Sequence, residues 1–245
     1  MRVAIRSKPR AGMFAEKRYL QARAEWRAGV MARIRWATWP VLASAVIFLV
    51  LRHANTVDMM LALLAGGALV AYHALRDDEP ESVSNWQVGM EGERSTEREL
   101  LPLEDAGWIV RHDVERKFGV DHIVVGPNGV FLLETKNFRG RATIDGGMVA
   151  VTRPGSDYRT SVGAPLRRAA VELSAAIRDE TGVRVWIEPV AVLWSQFDSG
   201  ARSVGGLTYL HGSRLAEWIR SHQNALRPDQ FRAATQFFNR HHAHS

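Results

Sequence analysis

The stretch that most limits how this chain folds runs from Gly119 to Lys136. Asp121 to Gly126 and Val130 to Thr135 are two runs rich in β-branched and apolar residues, and Gly126-Pro127-Asn128-Gly129 stands between them. Short apolar runs bounded by Gly, Pro and Asn read as strands joined by a tight turn. Alternation along the second strand puts Glu134 and Lys136 on one face and Thr135 on the other. If Val125 pairs with Val130, the same register sets Asp121 opposite Glu134, with their Cβ atoms roughly 5 Å apart.

Charged side chains at the ends of apolar strands are costly to bury unless they are paired or bind a metal. Two converging carboxylates repel one another. A divalent cation between them removes the repulsion, and an all-oxygen donor set suits Mg²⁺ or Mn²⁺. On this reading Asp121 and Glu134 hold the metal, with the backbone carbonyl of Thr135 as a further ligand. Lys136 projects beside Glu134, where an ammonium meets charge developing on a phosphate. The chemistry implied is metal-assisted phosphodiester hydrolysis. The same spacing also fits an Asp–Lys–Glu salt-bridge cluster at a strand end. His122 follows Asp121 but points to the opposite face, and reads as a structural or supporting histidine.

The flanking pattern places this hairpin in an α/β domain. Gly89 to Ala106 reads as helix and Trp108 to Val114 as strand, while Ala142 to Thr152 adds a further strand. Pro165 to Thr181 is helical, with Leu166, Ala169, Ala170, Leu173 and Ile177 on one face and Gly182 as the stop. Val183 to Trp194 and Leu207 to His211 follow as strands. A helix capped by Ser213 extends to about His222, and Pro228 opens another to about Arg240. The order is α-β-β-β-α-β, then a short strand and two helices. The 46% hydrophobic and 24% charged content is that of a globular chain. The absence of cysteine excludes disulfides, thiolate zinc sites, iron–sulfur clusters and cysteine nucleophiles. No Gly-x(4)-Gly-Lys loop is present, so no intrinsic ATPase is indicated.

Asp121-x(12)-Glu134-Thr135-Lys136 resembles the Asp-x(n)-Glu-x-Lys motif of the restriction-endonuclease-like (PD-(D/E)XK) nucleases. With Gly89-Met90-Glu91-Gly92-Glu93, Val120 to Val125, Gly129-Val130-Phe131 and Glu134 to Asn137, roughly residues 86–195 resemble the nuclease-related domain (NERD) family. The resemblance implies a restriction-endonuclease-like α-β-β-β-α-β core with a Mg²⁺-dependent nuclease site. Within it, Glu93 matches the acidic residue of the first helix, which orients metal or water. Asp121 and Glu134 match the metal ligands, and Lys136 the catalytic lysine. Where the family usually shows Asn-Pro-x-x-Gln, this chain has Ala164-Pro165-Leu166-Arg167-Arg168. Arg168 in place of Gln either binds a phosphate beside Arg167 or marks altered or lost activity. Two functions follow: a membrane-anchored, Mg²⁺-dependent phosphodiesterase acting on nucleic acid, DNA ahead of RNA, or a catalytically silent nucleic-acid-binding or scaffold module tethered to the membrane.

Charge divides the chain unevenly. Residues 1–35 hold ten Lys/Arg and two Glu, so this arm carries +8; with +6 for the whole chain, the remainder carries −2. A phosphate-binding surface in the body is therefore a local patch, for which Arg139, Arg141, Arg167 and Arg168 are the candidates, with Lys117, Arg153 and Arg159. The arm reads as a helix from Pro9 to Arg35, lying on anionic lipid or touching nucleic acid. After it come two uncharged apolar runs, Trp36–Leu51 and Met59–Leu75, of about 16 and 17 residues, which read as a transmembrane helical hairpin over 36–76 or as a buried hairpin in a soluble core. Gly66, Gly67 and nearby alanines permit close helix contact. The cationic arm puts both flanks on the cytoplasmic side of a two-span membrane protein, with residues 52–58 outside. Residues 77–88 then form a linker, and 89–245 the nuclease-like domain with its C-terminal helices.

Overall fold

In the computed structural model of the chain, the described residues are 11, 13–51, 56–75, 80–114, 120–197, 200–223 and 225–242. Arg2, Arg6, Lys8 and Arg10 of the basic arm, most of the link at 52–58 and the candidate cation Lys117 lie outside them. The chain divides into two compact units, Lys17–Gln87 and a larger one that takes Met1–Glu16 and Val88–Ser245.

The smaller unit is helical. Helix α1 (Met13–Leu51) runs unbroken for 39 residues, so the described part of the basic arm from Met13 and the first apolar run are one helix. Helix α2 (Thr56–Leu75) carries the second run. The two approach closely at Gly66, where an added Cβ would lie 2.6 Å from a Val41 methyl. Among the described residues, no helix is long and apolar enough to cross a membrane. The expected two-span hairpin, and with it the membrane location and cytoplasmic flanks, is therefore corrected. The physical reason is length: uncharged runs of about 16–17 residues fall short of the roughly 20 that a bilayer core requires, and the first continues directly into a cationic helix.

The larger unit is mixed α/β, as expected. Helix α3 (Glu81–Asp105) begins eight residues before Gly89, so residues 81–88, expected as linker, are helical. Strands β1 (Ile109–Val114), β2 (Val120–Gly126) and β3 (Gly129–Lys136) form an antiparallel meander. Helix α4 (Gly163–Thr181) returns the chain to β7 (Ile187–Leu193), which pairs parallel with β3. Beyond it, β8 (Arg202–Val204) and β9 (Leu207–His211) complete a six-stranded sheet of order β1-β2-β3-β7-β9-β8. Helices α5 (Leu215–Ser221) and α6 (Pro228–His242) close the chain.

Between β3 and α4 lies a separate three-stranded antiparallel sheet. The stretch Ala142–Thr152, expected as one strand, is two: β4 (Arg141–Asp145) and β5 (Met148–Arg153), followed by β6 (Ser156–Thr160). Gly146 and Gly147, with φ of 57° and 82°, reverse the chain between β4 and β5 in the left-handed conformation that side chains disfavour.

The main sheet is buried on both faces. Ile123, Val125, Val130, Leu132, Ala191 and Leu193 pack with α4 and α6, while Val124, Phe131, Leu133, Val190 and Val192 pack with Leu100 and Leu103 of α3 and with α5. This explains why β2, β3 and β7 read as near-continuous apolar runs. The α4 face is the one expected from spacing: Leu166, Ala169, Ala170, Leu173 and Ile177 are all buried, and the Gly182 N–H donates to the Arg178 carbonyl at the stop. Each such fully buried Leu or Ile contributes about 1.5–3 kcal/mol by removal from water. The result is a rigid platform whose charged residues collect where β2 begins and β3 ends.

Candidate active site

The hairpin has the register expected from its turn. Val125 pairs with Val130, and His122 with Leu133. The ladder stops there, because the next donor, the Thr135 N–H, goes instead to Asp121 Oδ2 at 2.7 Å. That bond holds the Asp121 carboxylate against the segment carrying Glu134 and Lys136. Lys136 Nζ lies 2.6 Å from Glu134 Oε1. Glu93 approaches from α3, close enough for its charge to act on both Asp121 and Lys136.

The electrostatics are those of crowded carboxylates. Burial, then Glu134, then Glu93 hold the Asp121 carboxyl well above the usual range, against the opposing Lys136 ammonium and the Thr135 N–H. For Lys136, burial disfavours the charged form, but Glu134, Asp121 and Glu93 outweigh it and raise its pKa. The neighbouring acids thus favour the ammonium form of Lys136. Three acids face one ammonium at the strand ends.

A divalent cation suits this donor set. Among the described residues, no group of three or more His, Asp or Glu could by itself hold a metal. Mg²⁺ does not require one, because it is commonly held through one or two carboxylates with waters and substrate phosphate completing the shell. Asp121, Glu134 and the Thr135 carbonyl are hard oxygen donors of that kind.

Helix α3 is seated by Gly92. A Cβ at this position would lie 2.8 Å from Asn137 Cβ and 3.3 Å from Thr135 Cγ2. Asn137 Nδ2 donates in turn to the Val88 carbonyl at 2.9 Å. Gly92→Ala gains about 1 kcal/mol of helix propensity but overpacks the Asn137 and Thr135 side chains, which costs about 1–3 kcal/mol. A net loss of about 1 kcal/mol is expected, read as a lower urea midpoint with an unchanged slope. A variant more stable than the parent would show that the contact has slack.

The four candidate arginines do not lie on one element. Arg139 and the exposed Arg141, the first residue of β4, follow β3 closely, and the chain at Arg141 bridges Gln196. Arg167 and Arg168 lie on α4; Arg168 is exposed, while Arg167 is half-buried, beside Gly163 and near Tyr209. Arg159 is taken up by Asp145 at 2.9 Å. His122 is fully buried and bonded to His112, Nδ1 to Nδ1 at 2.8 Å, and burial with His112 pushes its pKa well down. A cleft of about 290 Å³ lies at the other end of β3, among Gly129, Trp186, Glu188 and His222, and shares no residue with the acidic cluster.

Residues 88–194 match the family model of the nuclease-related domain. That span, less than half of the chain, agrees with the motif resemblance and is consistent with the restriction-endonuclease-like superfamily. No curated protein and no solved structure matches the chain. The NERD segment contains α3 from Val88, β1 to β6, α4 and β7, and with them Glu93, Asp121, Glu134 and Lys136. The strands β8 and β9 and the helices α5 and α6 lie beyond it.

Motif reading misses Thr96 and Trp194. Thr96 is polar yet fully buried, and its side chain meets Thr135 and Trp194. Helical spacing from Gly92 is the one local hint, because residues four apart share a face. Trp194 lies 98 positions away in the chain, beyond any local pattern.

Proposed function

We propose that the larger unit is a nuclease that hydrolyses phosphodiester bonds of DNA or RNA with Mg²⁺ or Mn²⁺, DNA being the first substrate to test. The observation that carries this reading is the meeting of Asp121, Glu134 and Glu93 carboxylates with the Lys136 ammonium at the end of a sheet buried on both faces. Asp121 and Glu134, with the Thr135 carbonyl, would hold the ion. When bound, the ion supplies charge neutralisation at the phosphate and a more acidic water. Lys136, kept cationic by its three acidic neighbours, offsets charge that grows on a non-bridging phosphate oxygen. Glu93, on a different element from the other acids, orients the attacking water. The strand ends fix these groups before substrate arrives, so little reorganisation is needed during reaction. Arg139, Arg141, Arg167 and Arg168 bind flanking phosphates, and raising salt weakens that binding.

Nicking of supercoiled plasmid is the direct test. The expected result is cleavage with Mg²⁺, none with EDTA, and none by Glu134→Ala in either buffer. Equal cleavage by the parent and Glu134→Ala would refute the assignment. Arg168, standing where the family usually has Gln, supports a second reading as a nucleic-acid-binding module that does not cleave. That reading is favoured if both proteins bind DNA alike and neither cuts it.

A further inference from the structure

The Thr96 hydroxyl joins α3, which carries Glu93, to β3, which carries Glu134, and to Trp194 just after β7. Three contacts meet at its Oγ1: Trp194 Nε1 at 2.8 Å, Thr135 Oγ1 at 3.0 Å and the Gly92 carbonyl at 3.2 Å. A hydroxyl has one proton and two lone pairs. One assignment satisfies every contact: the Trp194 N–H and the Thr135 O–H donate to Thr96, and Thr96 donates to Gly92. The oxygen is then saturated.

Each partner leads to a different part of the site. Gly92 adjoins Glu93. Thr135 sits between Glu134 and Lys136, and its N–H holds Asp121 at 2.7 Å. The Trp194 backbone N–H donates to the Lys136 carbonyl at 2.9 Å, so one residue grips both β3 and α3. The Trp194 ring is itself confined, because a Cβ on Gly212 would lie 2.2 Å from its Cε2. His211 packs against the same ring, with centroids 5.5 Å apart. Gly212 and His211 lie outside the NERD match, so the C-terminal part of the chain helps place the cluster.

We propose that Thr96, held by Trp194, is a positioning residue that sets the approach of Glu93 to the Asp121–Glu134 pair and thereby the affinity for a divalent ion. This rests on the nuclease reading. Thr96→Val keeps the shape and removes the shared oxygen, leaving the Trp194 N–H and the Thr135 hydroxyl to seek other partners. Leaving buried polar groups unpaired is costly, so α3 shifts, and Glu93 moves with it. Thr96→Ser keeps the oxygen.

The test is Mn²⁺ binding to the full chain, followed by electron paramagnetic resonance of the free ion, with near-ultraviolet circular dichroism to report folding. Thr96→Val is expected to weaken binding about 10–100-fold, the range typical of groups that orient metal ligands, while Thr96→Ser stays near the parent. In cleavage, Thr96→Val lowers kcat without raising KM for the nucleic acid. Trp194→Phe removes the indole N–H alone and should weaken Mn²⁺ binding in the same direction; it decides the matter if Thr96→Val fails to fold. A folded Thr96→Val, or failing that a Trp194→Phe, that binds Mn²⁺ as the parent does overturns the proposal and leaves the nuclease reading intact. Equal weakening by Ser and Val also overturns it, because close packing at this position rather than the shared oxygen would then matter. A parent protein that binds no Mn²⁺ and does not cleave removes both.

Discussion

Asp121→Asn is expected to lower metal-dependent cleavage by on the order of 10³-fold, the rate equivalent of several kcal/mol of lost charge stabilisation, while making the metal-free protein more stable. The two effects share one cause. Asn keeps an oxygen to accept the Thr135 N–H that now reaches Asp121 Oδ2 at 2.7 Å. It removes the charge that Glu134 and Glu93 oppose and that burial penalises. A gain of about 1 kcal/mol, the usual scale when a strained functional site is relaxed, raises Tm by about 2–4 °C in a domain of this size. The sign of the pH dependence follows from linkage. The folded-state pKa of Asp121 lies above its unfolded value, so the native state binds the proton more tightly. Stability is therefore greatest below the unfolded value of about 3.9 and falls as pH rises through the folded pKa. The Asn variant lacks that fall, so its advantage vanishes in acid and grows as pH rises through the folded pKa. Thermal melts in EDTA across pH, beside plasmid nicking in Mg²⁺, measure both halves. A variant that is less stable at neutral pH yet still cleaves would mean that Asp121 is structural.

What the residues reveal on their own depends on how local the deciding interaction is. The β2–β3 register is legible because Gly126-Pro127-Asn128-Gly129 fixes the loop and alternation then sorts Asp121, Glu134 and Lys136. The buried face of α4 is legible because five apolar residues recur at helical spacing. The β4–β5 hairpin hides inside a run of strand formers, and the Gly146-Gly147 pair is the feature that betrays it. The start of α3 at Glu81 is obscured because Asp78, Glu79, Pro80 and Glu81 resemble a polar linker, although Pro is at home just before or at the start of a helix. The apolar runs at 36–51 and 59–75 show how far hydropathy alone can lead, because run length has to be weighed against the bilayer. Thr96 and Trp194 are invisible for a different reason. Their meeting requires β7 to lie beside β3 and α3 to cross the end of both, which is a property of the assembled fold.

Phe131→Ala is expected to be the most damaging single change to folding and nearly silent in the chemistry. Phe131 is fully buried on β3. Its ring lies 5.7 Å from that of Trp218, 5.3 Å from that of His222 and 6.5 Å from that of Trp108. Truncation removes the meeting point of α5 with the sheet, at a cost of about 3–5 kcal/mol for a buried aromatic. Against a total stability of about 5–15 kcal/mol, that lowers the denaturation midpoint severely. Leu101→Ala, on the exposed side of α3, is the matched control and should change stability by about 0.5 kcal/mol or less. Position along the strand separates this loss from function, because Phe131 stands near the Gly129 end of β3 and Glu134 and Lys136 at the other. Phe131 and Leu133 face α3 and α5, while Leu132 faces α4, and Glu134 and Lys136 continue the Leu132 side. Cleavage per folded molecule should therefore be preserved at temperatures where the variant is still native. If Phe131→Ala loses cleavage while its urea midpoint is unchanged, the two ends of β3 are not independent, and the view of the sheet as a rigid platform for the acidic cluster is wrong.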